Sequence, residues 1–275
     1  MRDKPELKRK LLNACAAVTS FVVVLVLSYL YTLLEAVIYP DRFPYGVTVA
    51  LWVLALGAGI ALMFGAYRPR PAAESEFAAE EAVPPPRRGK PIYLVPATVF
   101  ALLAVNIVFS LCGIAKTDAP TYKAGEFALR AVLGCTVIPV LEESFFRGAL
   151  LSGLREREDP LALRIGAALL TGAAFAVFHP ENGFRFALAA GVILAVPAPF
   201  PEGGKRRFLP PFAPIAAHAL YNLALYLSLA LMMTGLDPVT TLSIFAGAAA
   251  VTAGIMILTG GKSDAKRRKN KENNG

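Results

Sequence analysis

Eight apolar segments dominate the chain, at roughly 11–39, 47–66, 92–115, 126–154, 161–179, 184–196, 211–234 and 239–260. A hydrocarbon layer about 30 Å thick takes about 20 residues to cross as a helix rising about 1.5 Å per residue, and most of these segments are that long; the sixth is the shortest. No water inside such a layer satisfies backbone N–H and C=O groups, so an isolated span has to be helical. At 56% apolar and 17% charged residues, with a mean hydropathy of +0.53, the chain lies far from ordinary soluble domains. The predicted fold class is therefore all-α, a polytopic membrane protein of about eight transmembrane helices surrounding an intramembrane cavity.

Charge orients the bundle. With the N-terminus cytoplasmic, 22 of the 28 Lys and Arg fall on the inside, in the stretches 2–10, 68–90, 155–164, 205–207 and 262–271. Only Arg42, Lys116, Lys123 and Arg185 fall outside, while Arg130 and Arg147 lie within a span. That asymmetry predicts both termini inside an integral cell membrane. The net charge of +8 then reflects topology, and no nucleic acid partner is expected. The partner is the bilayer itself, whose anionic headgroups the tail KRRKNK can touch. The first segment follows a basic start but is too long for a signal-peptide core of about 7–15 residues, so an uncleaved span is expected.

Residues 1–275 read as one membrane domain, with a catalytic core at about 126–234, a flexible cytoplasmic loop rich in Pro, Ala and charge at about 68–91, and a basic cytoplasmic tail at 261–275. Cys15, Cys112 and Cys135 are odd in number and lie in spans, so packing rather than a disulfide framework is expected. Gly57, Gly59, Gly148 and Gly153 are expected to mark close helix contacts.

Polar residues inside the spans carry the function. Glu142, Glu143, Arg147, His179 and His218 lie in or at the end of apolar segments, and both histidines of the chain are among them. Each costs about 2.5–3.5 kcal/mol to insert, so such groups face a protein interior or a wet cavity. At 1.5 Å per residue, Glu142, His179 and His218 lie roughly 20, 22 and 17 Å from the cytoplasmic charges that follow or precede them, a depth at which three spans can meet. Glu143 and Arg147 are four apart, a helical ion pair that leaves Glu142 facing elsewhere. His218 and Asn222 share a helix face by the same spacing, as do Phe175 and His179. Pro139 removes a backbone donor and predicts a kink beside the acids, and Pro180 predicts the end of its span near His179.

A carboxylate beside an imidazole can take a proton from water and so make it a nucleophile. Two donors such as His218 and Asn222 can stabilise the oxyanion formed when that water attacks an amide, an effect of about 2.7–4 kcal/mol per donor. These residues predict peptide-bond hydrolysis without a covalent intermediate. Phe175 and Phe146 are expected to wall the substrate pocket.

Glu142-Glu143-x-x-x-Arg147, Phe175-x-x-x-His179 and His218-x-x-x-Asn222, in that order, resemble the signature motifs of the CPBP family of type II CAAX prenyl endopeptidases and bacteriocin-processing proteins. The fuller stretch PVLEESFFRG is similar as well. The resemblance implies an intramembrane glutamic endopeptidase acting on a membrane-associated protein or peptide, prenylated or carrying a C-terminal sorting tag. By position it implies that Glu142 and His179 activate the water, that His218 and Asn222 form the oxyanion hole, and that Glu143 and Arg147 hold the site. No cofactor is expected.

Three other readings share these residues. Glu142, His179 and His218 can bind zinc with an open position, although HExxH is absent. Membrane-embedded acids and histidines also suit a proton-coupled transporter, although no inverted repeat is visible. A non-catalytic membrane scaffold is the third.

Overall fold

The computed structural model describes residues 4–38, 45–66, 93–114, 124–155, 157, 159–179, 182–200 and 211–272. The loop 68–91 and Pro180 lie outside the described residues. The helices are α1 (Lys4–Ile38), α2 (Tyr45–Ala66), α3 (Leu94–Leu111), α4 (Ala124–Cys135), α5 (Val137–Glu143), a π-helical segment (Ser144–Leu151), α6 (Ser152–Leu154), α7 (Leu161–Val177), α8 (Phe184–Ala195), α9 (Phe212–Met232) and α10 (Pro238–Glu272). No strand occurs among the described residues, and the architecture is that of a helical membrane protein. Three helices among the described residues are long and apolar enough to cross a membrane: α3, α9 and the Pro238–Leu258 part of α10. α7, α8 and the Leu11–Leu27 part of α1 are apolar but shorter. The first residues of the basic tail expected at 261–275 continue α10 as helix as far as Glu272.

The segment expected as one span at 126–154 is instead broken. α4 stops at Cys135, Thr136 takes φ −125° and ψ −78°, and α5 begins one residue later. Pro139 is the cause, because it has no N–H to offer the Cys135 carbonyl four residues back. The Thr136 hydroxyl partly repairs the break by donating to the Val132 carbonyl at 2.6 Å. Beyond Glu143 the chain widens into the π-helical segment, a rare form that concentrates at functional sites.

Two apolar clusters flank this broken helix. One joins Ala17 and Val24 of α1, Leu56 of α2, Phe145, Phe146, Ala149 and Leu150 of the π segment, and Phe175 and Phe178 at the end of α7. The other joins Leu102 and Leu103 of α3, Phe186, Ala190 and Leu194 of α8, Ala217 and Tyr221 of α9, and Leu242 of α10. Lipid tails are as apolar as these side chains, so association rests on close packing and polar contacts. Gly59 admits Phe145, whose ring would lie 2.7 Å from an added Cβ. Gly57, expected to do the same, faces open space, since nothing lies within 4 Å of its Cβ position. Cys15 and Cys112 are exposed rather than packed inside.

A close backbone approach joins α7 to α8. A Cβ on Gly191 would sit 2.8 Å from the Gly172 Cα and 3.0 Å from its carbonyl oxygen. Gly191→Ala is therefore expected to force the two helices apart and cost about 1–3 kcal/mol, as overpacking does. Thermal unfolding in detergent reads this directly, with Gly57→Ala as a control that leaves stability unchanged or raised.

At the end of this helix pair, Arg155 donates to the Ala195 and Ala198 carbonyls, both at 3.2 Å, and so caps the C-terminus of α8. Its guanidinium and that of Arg164 lie 4.2 and 4.7 Å from the Phe200 ring centre. Burial, and then the neighbouring Arg164 charge, pull Arg155 down to about 10.

Candidate active site

The two apolar clusters leave a polar chamber between them. Phe175 belongs to the first cluster, Leu102, Phe186, Ala190, Leu194 and Tyr221 to the second, and all of them line one cavity of about 130 Å³. Glu142, His179, His218 and Asn222 also line it. A chamber of that size has room for several waters.

Glu142 and Glu143 end α5, and being neighbours they point to different sides of the helix. Glu143 faces inward, fully buried, and its Oε1 accepts from Arg147 Nη1 at 3.1 Å and from His218 Nδ1 at 2.9 Å. Arg147 Nη2 donates in turn to the Gly191 carbonyl at 2.7 Å. The guanidinium carbon lies 4.8 Å from the Phe175 ring centre and 5.7 Å from that of Phe146. One buried charge pair thus links the broken helix to α8, while Glu143 reaches on to α9.

Glu142 faces the cavity, only 3% exposed. Its Oε1 lies 3.4 Å from His179 Nε2 and its Oε2 3.9 Å from His218 Nε2. Oε2 is buried and has no hydrogen-bond partner among the described residues.

Both imidazoles are oriented from behind. His179 follows the end of α7, stacks on Phe175 at 4.0 Å between ring centres, and approaches the Phe175 carbonyl through Nδ1 at 2.8 Å. A carbonyl can only accept, so the hydrogen is on Nδ1. His218 meets the Glu143 carboxylate in the same way. A neutral His179 therefore turns an unprotonated Nε2 toward Glu142, and a proton placed between the two is held by both.

Asn222 is committed on one side. Its Nδ2 donates to the Gly134 carbonyl at 2.7 Å, two residues before the break in the helix, which leaves one amide hydrogen for the cavity. Phe175 lines the chamber. Phe146 does not: it is fully buried behind that wall, packed edge-on against Phe175 and Phe178. The wider π turn carries it into the apolar cluster instead. Sequence reasoning also passed over the Gly134 and Gly191 carbonyls, Asn106 and Tyr221. Backbone acceptors leave no letter in a sequence, but Asn106 did signal itself as the one asparagine in a mostly apolar third span. No group of three metal-ligating His, Cys, Asp or Glu side chains is assembled among the described residues.

An acid between two anchored imidazoles, buried in a helical membrane protein, can take a proton from water. Residues 124–224 match the family model Rce1-like, described as type II CAAX prenyl endopeptidase Rce1-like, and this segment holds all three motifs. Over that segment the chain is similar to type II CAAX prenyl endopeptidases. No curated protein and no solved structure matches the chain.

Proposed function

We propose that the chain is a glutamate-dependent intramembrane endopeptidase whose catalytic core spans about 126–234. The observation that carries this reading is the Glu142 carboxylate lying 3.4 Å from His179 Nε2 and 3.9 Å from His218 Nε2 on the wall of the cavity. Glu142 accepts a proton from a cavity water, helped by His179, and the hydroxide that forms attacks the scissile carbonyl carbon. The carbonyl electron pair moves onto oxygen, where the Nε2–H of His218, as the imidazolium paired through Nδ1–H with Glu143, and the remaining Asn222 N–H donate to it. Collapse breaks the C–N bond, and the proton held by Glu142 and His179 passes to the leaving amine. Glu143 and Arg147 set the position of His218 without touching the substrate.

The substrate is a membrane-associated protein or peptide, prenylated or bearing a C-terminal sorting tag, presented from the bilayer. The distribution of basic residues supports a topology with both termini in the cytoplasm. The reaction uses no metal in this reading. If it is right, cleavage survives 1,10-phenanthroline at concentrations that strip zinc, and loss of cleavage that added zinc restores would replace the glutamic mechanism with a zinc one. The wider test compares membrane-protein termini in cells with and without the gene: a shortened membrane-anchored protein should appear only where the wild-type gene is present. Identical termini in the two cells would count against proteolysis altogether.

A further inference from the structure

We infer that Tyr221 is a third oxyanion donor, a catalytic residue held in place by Asn106. This rests on the hydrolytic reading above and names a group in the same chamber. Tyr221 sits on α9 one residue before Asn222 and one turn beyond His218, is 6% exposed, and lines the cavity. Its hydroxyl oxygen lies 2.8 Å from Asn106 Nδ2 of α3.

The direction of that bond decides what the hydroxyl can do. As placed, the Asn106 amide turns its NH2 to Tyr221 and its Oδ1 to the Ser110 hydroxyl, 3.4 Å away. An amide nitrogen cannot accept, so Tyr221 is the acceptor and its own O–H is left to donate. Among the described residues nothing accepts that hydrogen. A buried hydroxyl whose acceptor side is filled and whose hydrogen is unspent is a preorganised donor, and the chamber supplies the place to use it.

The need for such a donor is visible in the same site. One Asn222 amide hydrogen is spent on the Gly134 carbonyl, and His218 reaches the chamber through a single nitrogen. During water attack, the electron pair displaced onto the carbonyl oxygen is stabilised by the Tyr221 O–H with no proton transferred. The proton taken from water stays with Glu142 and His179 until the amine leaves. Asn106 never meets the substrate and acts by positioning Tyr221.

Tyr221→Phe removes one oxygen and keeps the ring in its apolar cluster. The assay follows an internally quenched peptide with a farnesylated C-terminal CAAX box, cleaved by the full chain in detergent micelles. Expected is a kcat lowered by about 10- to 100-fold with KM within about twofold of wild type, the signature of an interaction made only in the transition state. Asn106→Leu should lower kcat in the same direction by less, and the double variant should match Tyr221→Phe, since both act through one hydroxyl. A purely structural role would lower the melting temperature and leave kcat unchanged. Cleavage that depends on Glu142 but is unaltered in Tyr221→Phe would overturn this inference alone. Failure of the wild-type chain to cut the peptide would overturn the proposed function on this substrate, and this inference with it.

Discussion

Glu142→Ala abolishes cleavage and leaves the bundle folded. Glu142 contributes little to holding the helices together, because its contacts across the cavity are long, Oε1 to His179 Nε2 at 3.4 Å and Oε2 to His218 Nε2 at 3.9 Å. The links that hold α5 to α8 and α9 run through Glu143 and Arg147, which this substitution does not touch. A positioned general base contributes about 10²–10⁴-fold, so turnover of the quenched peptide should fall by about 10³-fold or more once the adjoining imidazole is also left without its partner. The melting temperature in detergent should stay near that of the wild type. Glu142→Gln is the sharper form, since it keeps the side-chain volume and cannot take up a proton. His179→Ala should follow it, because the proton between the pair then has no second holder. Cleavage by Glu142→Gln at the wild-type rate would remove Glu142 from the mechanism.

Much of this site was legible because charged letters are costly inside apolar segments. The spacing of Glu143 and Arg147 foretold their ion pair, and rotation about a helix foretold that Glu142 would face elsewhere. Similar depths for Glu142, His179 and His218 foretold that three spans could meet. Pro139 foretold a disturbance beside the acids, but not its extent: a full break at Thr136 followed by a π-helical segment. That wider turn explains why Phe146, expected in the pocket wall, lies in the apolar core behind it. Helix periodicity assumes a constant turn and fails where the turn changes.

Other features left no trace because they depend on what lies across the interface. Gly57 and Gly59 look alike in sequence, yet only Gly59 meets a neighbouring ring. The contact of Glu143 with His218 was missed for a similar reason. An acid already matched to an arginine gave no cause to seek a second partner, although its carboxylate has lone pairs enough for both. Glu143 is therefore more than a counter-ion, since it also selects which nitrogen of His218 faces the chamber.

Arg147→Ala should cost the protein its stability before it costs activity. The guanidinium is fully buried, donates to Glu143 at 3.1 Å and to the Gly191 carbonyl at 2.7 Å, and packs over Phe175. Its removal strands a buried carboxylate, leaves a backbone carbonyl of α8 without this donor and opens a void among aromatic rings. Breaking one partner of a buried pair costs about 3–5 kcal/mol, so the expected result is low yield of folded protein and a lower melting temperature in detergent. Arg147→Lys should fall between, because a single ammonium cannot reproduce the fork that serves both acceptors. The double variant Glu143→Gln/Arg147→Met separates charge balance from chemistry. With no charge left unpaired, its stability should recover toward wild type. Its cleavage should not recover, because His218 has lost the carboxylate that sets its tautomer. Full activity in the double variant would mean that Glu143 serves the fold alone, and that His218 finds its orientation without it.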